Sequence, residues 1–67
     1  MSNWEKDSDT IYTAISTSGA LNYKDAEEMV VLFYVPDLSF QRAGICHALK
    51  RLKKFYRDQT LTADVKE

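Results

Sequence analysis

The chain has 67 residues, 45% hydrophobic and 28% charged, with a formal net charge of −1, one cysteine and one proline. That balance is globular, because a disordered chain carries far fewer apolar residues. A lone cysteine excludes an internal disulfide, Cys46 with His47 falls short of the four ligands of a closed zinc site, and the apolar run Met29 to Val35 is far below the ~20 residues of a membrane span.

A chain this short buries only roughly 60% of its unfolded surface, so its core is marginal without help. With an internal disulfide and a closed zinc site excluded, a partner subunit is the leading candidate for that help. The opening MSNWEKDSDT lacks the positive-then-apolar pattern of a secretory signal, and the expected setting is soluble, cytoplasmic and reducing. One domain over 1–67 is expected, with 1–7 and 60–67 as flexible ends.

The first element lies in SDTIYTAIST. Ser8 or Asp9 offers a cap for a short helix carrying Ile11, Tyr12 and Ile15. Alternation of Ile11, Thr13 and Ile15 equally supports a strand. The STSG that follows reads as a helix stop and favours the helix.

The second element, NYKDAEEMVVLFYV, also has two readings. Its β-branched and aromatic run suits a buried strand. Its length, the cap Asn22 and the early acids Asp25, Glu27 and Glu28 favour a helix over 23–35, since acids suit the positive end of the macrodipole. Ala26, Met29, Val30 and Phe33 then share a face. Apolar residues on every side imply burial all round, in the core or at a dimer seam. Pro36 ends the element, because it biases Val35 away from the helical region.

The third element is a helix over 39–57, capped by Asp37 or Ser39. Leu38, Ile45, Leu49, Leu52 and Tyr56 recur at spacings of three, four and seven, flanked by Ala48 and Phe55. His47, Lys50, Arg51, Lys54 and Arg57 fall opposite them at about 100° per residue. Gly44 costs on the order of 1 kcal/mol inside a helix, which a close approach by a neighbouring helix or a ligand backbone would offset. The fold expected is mainly α, a compact three-helix domain.

Charge is segregated along the chain. Residues 1–37 carry seven acids and two bases, residues 38–57 carry six bases and no acid, and residues 58–67 carry three acids and one base. A face built only for solubility mixes both signs. An acid-free basic helix suits phosphate binding, where counterion release supplies affinity. Asp25, Glu27 and Glu28 complement a helix start, and they also suit a basic partner or the basic arc of a second subunit.

NYKDAEEMV, a turn, and then LSFQRAGICHALKRLKKF resemble the second and third helices of helix-turn-helix DNA-binding domains. ALKRLKK running into FYRDQTLTADV is similar to a winged-helix recognition helix entering its wing. The resemblance covers about residues 9 to 65. It implies a third helix in the major groove, with Ser39, Gln41, Arg42 and His47 toward bases and Lys50, Lys53, Lys54 and Arg57 toward phosphates. Arg51 joins this basic set, and a short C-terminal wing completes the implied fold.

No catalytic constellation is legible. Cys46 and His47 are adjacent on a helix, so their side chains diverge by about 100° and cannot act as nucleophile and base. Cys46 is expected at the core edge and His47 in solvent. No cofactor, metal or small-molecule substrate is implied. Two functions fit: a small, non-enzymatic regulator of helix-turn-helix type binding double-stranded DNA through 39–57, or a protein-interaction module. The second is suggested by an excess of aromatic and apolar residues. Val31, Phe33, Tyr34 and Phe40 are its expected interface, toward a homodimer partner or another protein.

Overall fold

The computed structural model describes residues 3–65, which form three helices and no strand: α1 (Trp4–Ser16), α2 (Tyr23–Phe33) and α3 (Arg42–Val65). The chain is mainly α, a three-helix domain, and both ambiguous segments are helical. Contacts between α1 and α3 advance together along the two helices. Gly44 lies against Trp4 and Ser8, Arg51 reaches Ser8 and Asp9, and Phe55 meets the Tyr12 ring edge-on at 5.9 Å. These two helices therefore run parallel.

Helix α2 runs the other way. Just before it, the Ala20 carbonyl accepts a 3.0 Å hydrogen bond from the Tyr56 hydroxyl, far along α3. Just after it, Val35 shares a groove with Ile45 and Leu49, early in α3. The result is an up-down-up bundle. Its core is Ile11 and Ile15 from α1, Ala26 and Val30 from α2, and Ile45, Ala48, Leu52 and Tyr56 from α3. Burying each large aliphatic side chain contributes roughly 1.5–3 kcal/mol.

Local chemistry sets each boundary. Asn22 caps α2, its side-chain oxygen accepting from the Asp25 amide at 2.9 Å. Helix α1 stops where STSG begins. The Thr17 hydroxyl donates to the Thr13 carbonyl at 2.8 Å and the Ser18 hydroxyl to the Ile15 carbonyl at 2.6 Å, before Gly19 turns the chain at φ +93°. The hydroxyls and amides of Thr17 and Ser18 occupy the last carbonyls of a helix that has no basic residue in its final turn.

Five sequence expectations need correction. Helix α1 starts at Trp4, not at a Ser8 or Asp9 cap. Ser8 sits inside it, 2% exposed, with its hydroxyl accepting from Arg51. Residues 4–7, expected as part of a free end, are held by Trp4 stacking on His47 at 4.2 Å and by the Asp7 carboxylate accepting from the Gln41 amide at 2.8 Å.

Neither Asp37 nor Ser39 caps α3. The Ser39 hydroxyl and amide both donate to Asp37 Oδ1, closing a turn upstream of the helix, which begins at Arg42. These two bonds, the hydroxyl's first, hold the Asp37 carboxyl below the usual carboxylate range. That turn also leaves Leu38, expected on the apolar face of α3, 97% exposed.

The wing is absent, because α3 continues from Asp58 to Val65. Asp58–Gln59 has no glycine to reverse the chain, and Asp58 pairs with Lys54 one turn back at 3.2 Å. Residues 66–67 of the expected C-terminal end lie outside the described residues.

Candidate nucleic-acid interface

Helix α3 has 24 residues, about 36 Å at 1.5 Å per residue. Its inner side carries Ile45, Ala48, Leu52 and Tyr56. Placed at about 100° per residue, Arg42, Lys50, Lys53, Lys54 and Arg57 fill an arc of about 120° on the outer side. All five are exposed.

Gly44 explains how α3 presents that stripe. It is buried, and a Cβ there would lie 2.6 Å from the Asp7 Cβ and 2.8 Å from the Trp4 carbonyl oxygen. The absent side chain lets α1 close onto α3, which turns the basic arc away from the seam. The helix penalty of this glycine is offset by close helix packing, one of the two compensations its position predicts.

The eight residues expected to face nucleic acid are not placed as one set. Arg51 is committed to α1: its guanidinium donates to Asp9 at 2.6 Å and to Ser8 at 3.2 Å, and lies 4.3 Å from the Tyr12 ring centroid. His47 stacks on Trp4. Gln41 precedes α3, and its amide is bound to Asp7. These three belong to the α1–α3 seam.

Lys53 and Arg57 line a groove beside the start of α2, with Leu21, Asn22, Tyr23 and Tyr56. Lys54 pairs with Asp58, and Arg57 approaches the same carboxylate at 3.9 Å. Pairs this exposed are worth about 0–1 kcal/mol. Arg42 stands apart, at the α3 start near Val35 and Leu38.

The Tyr56 and Tyr23 hydroxyls stay protonated at neutral pH. Burial, then the charge of Asp25, then Tyr12 raise the Tyr56 phenol above its ordinary value, and burial followed by Glu27 raises Tyr23. Among the described residues no group of three His, Cys, Asp or Glu side chains is placed to hold a metal, and no helix is long and apolar enough to cross a membrane.

The expected protein interface divides. Val31 and Phe33 are exposed, at 49% and 61%. Tyr34 and Phe40 are not an open surface. They meet edge-to-face at 4.9 Å and pack against the core, because the turn at Pro36 folds one onto the other. Cys46, expected at the core edge, is exposed. Four exposed residues escaped sequence reasoning as surface: Leu21, Leu32, Val35 and Leu38, at 86%, 68%, 50% and 97%. For Leu32 and Val35 the signal was present in MVVLFYV, whose length exceeds what one buried helix face can hold.

The chain matches no protein-family model, no curated protein and no solved structure.

Proposed function

We propose that this chain is a small, non-enzymatic DNA-binding regulator whose contact element is the third helix, as the helix-turn-helix resemblance implies. One observation carries the reading. Five cations occupy one exposed arc of α3, and the segment 38–57 holds no acid within a chain of net charge −1. Neutralising phosphates along this arc releases counterions from the duplex, which supplies sequence-independent affinity. Arg51, held by Asp9, acts by fixing α3 against α1 rather than by touching phosphate.

Fluorescence anisotropy of a labelled duplex at low salt tests the reading. Wild-type chain is expected to bind in the nanomolar to micromolar range, and the double change Lys50→Glu, Lys54→Glu is expected to abolish binding while leaving the helical circular dichroism intact. Absence of wild-type binding at low salt would remove the proposal.

A second reading, a protein-interaction module, rests on a different observation: Val31 and Leu32 line one shallow site and Val35 and Leu38 line a groove, all four at least 49% exposed. Clustered exposed apolar residues mark interaction surfaces. The two readings use different faces and are compatible.

A further inference from the structure

The sign of the surface changes along α3. At its start Arg42 shares a groove with Asp37, and Asp7 holds the Gln41 amide and lies against Gly44. Glu5 and Lys6, adjacent and exposed at the same end of α1, offset each other. One cation therefore meets two acids there. Farther along, Lys50, Lys53, Lys54 and Arg57 stand exposed, and one acid, Asp58, faces them. Asp9 lies on the α1 flank, taken up by Arg51. Asp25 and Glu27, with Lys24 before them, lie on the α2 flank beside the Tyr56 and Tyr23 phenols. A polyanion is thus drawn to the middle turns of α3 and not to its start.

The start is also engaged within the chain. Of the four positions that the helix-turn-helix resemblance turns toward bases, Ser39 and Gln41 lie upstream of the helix, the first bonded to Asp37 and the second to Asp7. His47 stacks on Trp4. Arg42 alone is open, with Asp37 beside it. Reading a base edge takes side chains free to match its donors and acceptors in the major groove. Three lysines are instead compact charges on flexible stems, suited to phosphate oxygens anywhere along a strand.

We infer that α3 lies with its middle turns on the sugar-phosphate backbone, its start held off the groove, and that the chain binds duplex DNA without regard to sequence. This rests on the DNA-binding reading and narrows it: the partner is the backbone itself, not a particular base sequence. Lys50 to Arg57 spans about 10 Å at 1.5 Å per residue. A duplex presents about six phosphate charges over that length of axis, enough for all four cations.

Anisotropy of the full chain at low salt, on several unrelated duplexes of equal length, tests the inference, together with repeated selection from a duplex library with a randomised centre. Affinities are expected to agree within about threefold and no sequence to be enriched, whereas a sequence-reading regulator separates its site from other DNA by about a thousandfold or more. Lys50→Gln is expected to weaken every duplex alike, and Arg42→Gln to change affinity by less than about threefold on any of them. Far-UV circular dichroism confirms that each variant folds. A selected duplex bound about tenfold or more tighter than its shuffled counterpart overturns the inference and leaves the DNA-binding reading standing. Failure to bind any duplex at low salt removes that reading, and the inference with it.

Discussion

The α1–α3 seam and the outer face of α2 treat similar residues in opposite ways. At the seam, Ile11, Ile15, Ala48 and Leu52 are at most 2% exposed, Gly44 admits the backbone of α1, and Arg51 finds Asp9, Ser8 and Tyr12. Along α2 only Ala26 and Val30 are fully covered, while Val31 and Leu32 face solvent. One surface is finished by the chain itself. The other has the apolar content of a seam and stays open to solvent.

Breaking the finished seam has the largest expected effect. Leu52→Ala, at a fully buried position, is expected to cost about 2–5 kcal/mol, and urea denaturation gives the value directly. Gly44→Ala comes next. The added methyl meets the Asp7 Cβ and the Trp4 carbonyl oxygen, neither the loose end of a side chain. Overpacking costs about 1–3 kcal/mol, which outweighs the ~1 kcal/mol helix gain. For a domain of this size each kcal/mol lowers Tm by roughly 4–8 °C.

Tyr56→Phe removes the tie to Ala20 and is expected to cost about 1 kcal/mol. It also changes the response to alkali. The folded phenol holds its proton above the 10.0 of an unfolded tyrosine, so this contribution is intact below pH 10 and is lost as pH rises through the folded value. Wild-type stability should fall above pH 10, and Tyr56→Phe should flatten part of that fall, the remainder belonging to Tyr23. The smallest effect belongs to the open face. At a dilution where the chain is monomeric, Leu32→Ser is expected to stay within about 0.5 kcal/mol of wild type.

What the sequence made legible follows the range of the interactions. The Asn22 cap, the STSG stop and the periodicity of α3 act within a few residues and can be read directly. The start of α1 cannot, because its anchors, Gly44 and His47, lie some forty positions away in the chain. Leu38 fits the α3 pattern by spacing, but the Ser39–Asp37 bonds end the helix before reaching it. Arg51 shows the same limit at the candidate site. Nothing local separates it from Lys50 or Lys54, and only Asp9, 42 positions earlier, assigns it to the seam.

The salt dependence of duplex binding tests most directly the claim that the outer arc of α3 is a phosphate-binding surface. With four or five cations engaged, the logarithm of affinity should fall linearly with the logarithm of salt at a slope of about −3.5 to −4.5. Arg51→Gln, which alters only the seam, should leave that slope unchanged, and Lys53→Gln should make it shallower by about 1. A wild-type affinity indifferent to salt, or a slope that responds to Arg51 and not to Lys53, would contradict the account.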